Sequence, residues 1–241
     1  TPAGGKLVEI DITVPEGYTI TQIVNLLTEN NVCDKVELLD ALANYDFDYD
    51  FLDSSTLGQE KRLEGYLFPD TYTFYMGDNA VRVISKFLDN FESKWTEEFD
   101  AQAEELGYSM REILTVASMI EREAGGDDER ADIASVIYNR IENPGTQGTV
   151  GLLQIDATIY YAIEDTGEAF STSIDSPYNT YLYEGLPPGP ISNPGLASIR
   201  AALEPSGEDY YYYALNLEGM HDFFTTYSDF ENFINSDQYG G

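Results

Sequence analysis

The sequence predicts an α+β fold: a small strand-and-helix module over residues 1–60, its last strand near 63–75, then a larger mixed α+β domain over 61–241. Three observations carry this. Strict apolar/polar alternation is confined to a few short runs, as half-buried strands require. Long runs with apolar residues every three or four positions fill the middle of the chain. Helices and strands are segregated along the chain rather than alternating as in βαβ units. At 241 residues the chain is long enough for one large domain or two small ones.

The elements follow in order. Residues 7–14 (LVEIDITV) alternate and read as a strand, ended by the turn Pro15-Glu16-Gly17. Thr19 or Thr21 caps a helix carrying Ile23, Val24, Leu26 and Leu27, and a second helix spans 35–43. Asp46, Asp48 and Asp50 have the spacing of a calcium loop. Phe51 stands where that loop needs Gly and Leu57 where it needs Glu, so a solvated loop with its aromatics tucked inward is expected. Residues 63–75 read as a strand interrupted at Pro69. One amphipathic helix is expected over 81–99, a second capped by Ser109 and running to about 124, a third over 130–141, and a fourth over 157–163 capped by Asp156. A long loop covers 165–193. Asn193 and Pro194 then read as a cap and first-turn proline for a helix with Leu196, Ile199 and Leu203. Residues 210–215 and 222–225 form a hairpin, and 227–234 a closing helix.

Composition excludes several functions. The chain has 44 acidic residues against 12 Lys and Arg, a formal net charge of −32. Such a surface repels phosphate backbones and anionic lipid, so nucleic acid is not an expected partner. One cysteine, Cys33, rules out an internal disulfide and a cysteine-based metal site. One histidine, His221, rules out a multi-histidine metal site, and it reads as a structural residue. No metal or cofactor is expected. No apolar run reaches the ~18 residues of a membrane helix.

Two stretches stand out chemically. On the helix that follows Ser109, Glu121 falls beside Leu114 and Ala117 at the edge of the apolar stripe, and Glu123 lies about 160° away, next to Val116 and Met119. A carboxyl held against apolar neighbours favours its protonated form, which suits a general acid for glycoside cleavage. The alternative is that Glu121 pairs with an arginine of a neighbouring element. The long loop carries Tyr178-Asn179-Thr180-Tyr181-Leu182-Tyr183. Rings stack on sugar faces and amides bond hydroxyl and acetamido groups, so this stretch suits a glycan. Equally, its tyrosines could support the core.

Taken together, Ala117–Ala124 (ASMIEREA), Ala134–Arg140 (ASVIYNR), Leu153–Thr158 (LQIDAT), Tyr178–Tyr181 (YNTY) and Gly185–Gly195 (GLPPGPISNPG), with Glu64–Tyr72 (EGYLFPDTY) upstream, resemble the YceG-like family. The resemblance runs from about residue 7 to the C-terminus. It implies a lyase that cuts the β-1,4 bond between N-acetylmuramic acid and N-acetylglucosamine in peptidoglycan and leaves 1,6-anhydro ends. It maps the family's catalytic glutamate onto Glu121 and makes Glu123 a supporting residue, holding Arg140 or a backbone amide. Gln154, Asp156, Tyr178, Asn179, Thr180 and Asn193 become candidates for binding or orienting the sugar. Asp156 keeps its competing role as a helix cap. Ala157 stands where the family often has proline, which removes rigidity but no donor or acceptor. The first module is similar to the family's LysM-like module.

The implied partners are peptidoglycan glycan strands, with cell-wall synthesis proteins as a further class that the acidic surface could dock. The implied location is the cell membrane, through an N-terminal helix absent from these 241 residues, with the catalytic part on the extracytoplasmic side. Two other readings stand beside this one: a glycan-binding module without activity, and a hydrolase pairing Glu121 with Asp156 or Glu64 around a water.

Overall fold

The structure, a computed structural model, describes residues 8–241. The fold is α+β, and the chain divides into two compact units. The first runs to Glu97 and includes a later return, Ser192–Gly195; the second holds Glu98–Ile191 and Leu196–Gly241. The boundary expected near residue 60 falls inside the first unit. The strand that completes that unit's sheet comes only afterwards.

That sheet pairs β1 (Glu9–Thr13) antiparallel with β2 (Thr71–Tyr75), in the register Ile10↔Phe74 and Ile12↔Tyr72. Alternation sends Ile12, Tyr72 and Phe74 inward and leaves Asp11 and Thr73 outside. Leu7, where the strand was expected to begin, lies outside the described residues. Between the strands run α1 (Ile20–Glu29) and α2 (Lys35–Asn44). Thr19 and Gln22 close a capping box on α1, and Asp34 caps α2. Helix α3 (Ala80–Lys94) follows, capped by Asn79. Its face of Val83, Ile84, Phe87, Leu88 and Phe91 completes the core with Leu27, Leu38 and Leu42. Phe47 is buried, and Phe51 packs on Tyr66 and Phe91, so the acidic loop does tuck aromatics inward.

Two expectations are corrected here. Residues 63–66 are turn and 67–70 irregular, and the strand starts only at Thr71, beyond Pro69, which has no N–H for a ladder. The helix expected over 81–99 is two. α3 ends where Trp95 goes extended and buries its ring against Phe91, and α4 (Glu97–Leu106) starts afresh. The run Thr96-Glu97-Glu98 is an N-terminal signal that the apolar period masks in the sequence.

In the second unit, α5 (Met110–Glu123) opens on a capping box of Ser109 and Glu112. It buries every residue from Ile113 to Ile120. Around it lie α6 (Arg130–Glu142), α7 (Asp156–Ile163) and α8 (Leu196–Leu203). The expected hairpin is present: β3 (Tyr212–Leu215) pairs antiparallel with β4 (His221–Phe224), in the register Tyr213↔Phe223 and Leu215↔His221. Thr226 caps α9 (Tyr227–Ile234). Among the described residues no helix is long and apolar enough to cross a membrane.

Candidate active site

The end of α5, the start of α7, the β3–β4 hairpin and α9 surround a cavity of about 550 Å³ in the second unit. Glu123, Arg140, Gln154, Asp156, Tyr181, Tyr213 and His221 are its polar lining, and Tyr212, Tyr227, Phe230 and Tyr239 form much of its aromatic wall.

Glu123 is the last residue of α5, where helix carbonyls disfavour a negative charge. Tyr213 Oη donates to its Oε2 at 2.9 Å. Burial pushes the Glu123 carboxyl above the ordinary glutamate range, and nearby Asp156 adds to this. The Tyr213 hydroxyl, His221 and the Ala157 amide pull the other way without overcoming it. Burial beside Glu123 also pushes the Tyr213 hydroxyl far up, so it stays a donor.

Asp156 is the first residue of α7, but its side chain makes no capping bond. Its Oδ1 instead accepts from Tyr181 Oη at 2.6 Å, which corrects the helix-cap expectation. The hairpin places Tyr213 and His221 on one face, with rings 5.0 Å apart. His221 is anchored from outside the cavity: Glu129 Oε2 accepts from its amide at 2.8 Å and Glu129 Oε1 lies 3.2 Å from Nδ1. Burial alone would raise the Glu129 carboxyl. The amides of His221 and Gly125 and the imidazole more than offset this and hold it below the usual range.

Glu121 is elsewhere. Two residues along a helix is about 200°, so Glu121 and Glu123 face opposite ways. Arg130 Nη1 sits 3.2 Å from Glu121 Oε1, and the same guanidinium bonds Asp127 and the Ser198 hydroxyl. The Glu121 side chain is 6% exposed and does not line the cavity. Pairing with a neighbouring arginine, the alternative weighed from sequence, is the arrangement found.

The remaining candidates split. Gln154 lines the cavity. Thr180 is buried beneath it: its hydroxyl accepts from the Ile155 amide at 2.9 Å, and its carbonyl accepts from the Gln154 amide at 3.0 Å. Asn179 is fully buried and braces its own loop, donating to the Thr172 and Ile174 carbonyls and accepting from the Tyr181 amide. Tyr178 packs on Tyr161. None of the three lines the cavity; Asn179 positions Tyr181 and Thr180 positions Gln154. Asn193 belongs to the first unit. It does not cap α8, which begins three residues later. Its Oδ1 accepts from the Gly65 and Leu67 amides at 2.9 Å each, and its Nδ2 donates to the Tyr18 carbonyl and to Glu64. Glu64, 1% exposed, also accepts from the Ile20 amide at the start of α1. Sequence reasoning missed Tyr213, Tyr181 and the cavity face of His221. The tyrosine-rich run 210–213 was the one signal for Tyr213, and it reads equally as strand; Tyr181 lay within the aromatic stretch 178–183, which named no single residue.

The sequence model of the YceG-like family matches residues 3–236. The chain belongs to the YceG-like family. Among YceG-like relatives, an endolytic murein transglycosylase of Bacillus subtilis is 35% identical over 220 residues, covering 86% of this chain and 59% of that protein. One of Streptococcus pneumoniae is 29% identical over 229 residues, covering 86% and 40%. The chain thus spans about half the length of these relatives. A crystal structure of a yceG-like protein from Listeria monocytogenes superposes with a TM-score of 0.77 at 31% identity, over 92% of this chain and 75% of that one.

Proposed function

We propose that this YceG-like chain is a lytic transglycosylase of peptidoglycan, acting outside the cytoplasmic membrane, with Glu123 as its single acid and base. The observation that carries the reading is a carboxyl raised by burial, held by a buried tyrosine hydroxyl, in an aromatic-walled cavity. The names of its relatives agree with it. The first unit, with two helices between paired strands, suits the accessory glycan-binding role that the family resemblance implies.

The chemistry needs one carboxyl used twice. Protonated Glu123 gives its proton to the glycosidic oxygen as the C1–O4 bond breaks. The carboxylate then takes the proton of the muramic C6 hydroxyl as O6 bonds to C1. The proton count closes, no water is consumed, and the product ends in a 1,6-anhydro sugar. Tyr213 holds the carboxyl in place through both steps.

Asp156 in the same cavity favours a second reading, an inverting hydrolase with water between Glu123 and Asp156. Mass spectrometry of products from purified strands separates the two. The lyase gives anhydro ends and the hydrolase reducing ends. Glu123→Gln should lower the rate by about 10²- to 10⁴-fold, the usual contribution of a general acid. Glu121→Gln should keep most of it. Loss of activity in a folded Glu121→Gln protein, with Glu123→Gln active, would move the acid to Glu121.

A further inference from the structure

The cavity contains a base that the chain's many acids leave alone. Arg140 is 8% exposed. The protein carries 44 acidic residues against 12 Lys and Arg, yet among the described residues this guanidinium makes no ion pair. Its Nε donates to the Tyr211 carbonyl at 2.7 Å. Its Nη1 donates to the carbonyls of Leu153 and Leu152 at 3.0 and 3.3 Å, and to Gln154 Oε1 at 3.3 Å. The Tyr212 ring lies 5.0 Å from Cζ. Nη2 has no acceptor among the described residues, and it is not among the atoms sealed from solvent without one.

Gln154 adds a second donor. A guanidinium can only donate, so its bond to Gln154 fixes the amide oxygen toward Arg140 and turns Nε2 away. Nε2 bonds no acceptor among the described residues. The backbone of Gln154 is left-handed, at φ 57°, a conformation that costs a non-glycine residue energy and clusters at functional sites. Thr180 holds it there through two bonds. Among the neighbouring groups, Tyr213 donates to Glu123, Tyr181 donates to Asp156, and His221 Nδ1 faces Glu129. Nη2 and Nε2, joined by the bond between their own side chains, remain as donors for a ligand.

We propose that Arg140 and Gln154 form an acyl-oxygen clamp in the cavity wall that holds the acid-bearing arm of a sugar, the 3-O-lactyl group of a muramic residue. Paired donors fit the two oxygens of a carboxylate, and they fit one carbonyl oxygen where the acid is amidated. The clamp rests on the glycan reading above. It adds that the site distinguishes muramic acid from glucosamine, which lacks the arm.

The test is NMR titration of the intact chain with the disaccharide GlcNAc-MurNAc, the same disaccharide with its lactyl acid amidated, and chitobiose. The clamp predicts that GlcNAc-MurNAc binds about tenfold or more tightly than chitobiose and shifts the Arg140 Nε–Hε signal. An amide equal to the acid assigns the clamp to the acyl oxygen, and a weaker amide assigns it to the carboxylate. Arg140 holds three carbonyls, so its substitution risks the fold. Gln154→Ala alters an exposed side chain and should cut the muramic preference while leaving chitobiose affinity in place. Equal binding of both disaccharides by the wild type, a preference untouched by Gln154→Ala, or binding of neither would overturn the clamp. Strand cleavage by the same sample is scored separately, so anhydro products without a muramic preference remove the clamp and leave the activity standing.

Discussion

Asn193 tests how far a residue expected at the sugar site serves the fold instead. Its fully buried side chain makes four hydrogen bonds within the first unit: from the Gly65 and Leu67 amides, to the Tyr18 carbonyl, and to the Glu64 carboxylate. Asn193→Ala removes all four and leaves the Gly65 and Leu67 amides without the oxygen that satisfied them, while the Tyr18 carbonyl keeps only the backbone amide of residue 193. At about 1 kcal/mol net per bond the loss is about 4 kcal/mol, a large share of the 5–15 kcal/mol that stabilises a typical domain. Asn193→Asp should cost at least as much. It keeps the oxygen facing the two amides but turns a second oxygen toward the Tyr18 carbonyl and the Glu64 carboxylate.

The chain's one tryptophan, Trp95, is nearly buried against Phe91 in the same unit, so its fluorescence reports that unit's unfolding. With a urea m-value of about 1–2 kcal/mol/M, the midpoint should fall by roughly 2–4 M. A fall below about 0.5 M for both variants would mean that these bonds do not stabilise the fold, and the structural assignment of Asn193 would fail.

Other outcomes follow from the second unit. Glu129 is held below the ordinary range, so its stabilisation is present above that range and lost as pH falls through its folded value. Glu129→Gln should cost about 2 kcal/mol at neutral pH, with the gap to wild type closing in acid melts. Glu123 has the opposite sign: raised by burial, it stabilises fully below the ordinary glutamate range, and that contribution is lost as pH rises through its folded value. Glu123→Gln should therefore gain on wild type in melting temperature as pH rises, and a constant gap would contradict the raised carboxyl. An added Cβ at Gly125 would sit 2.7 Å from the Gly219 carbonyl oxygen, whereas at Gly189 it would meet only the flexible tip of Arg111. Thermal melts should show Gly125→Ala losing about 1–3 kcal/mol and Gly189→Ala within about 0.5 kcal/mol of wild type.

The pattern of elements was legible because it is set locally. The caps Ser109 and Thr19, the alternation of residues 9–13 and the turn of the hairpin each depend on a few adjacent residues. The break at Trp95 was not legible, since the apolar period continues across it and only the burial of one ring decides that the chain stops there. Which of the two carboxyls faces the cavity was not legible for a related reason. A stripe edge ranks Glu121 above Glu123 only if the helix has a wet face beside the stripe. α5 is buried all round from Ile113 to Ile120, so which carboxyl reaches a cavity depends on what arrives at its end.

What arrives is Tyr213, ninety residues later in the chain. The same holds for Asp156 and Asn193. Each has the residue type and position of a helix cap, and each gives its side chain to a distant partner: Tyr181 in one case, and the Gly65 and Leu67 amides in the other. A cap contributes about 1 kcal/mol through one or two bonds. At Asn193 four bonds outweigh it, and the better-satisfied tertiary site takes the side chain. Asparagine and aspartate before an apolar run therefore signal a helix start more reliably than they signal what their own side chains will hold.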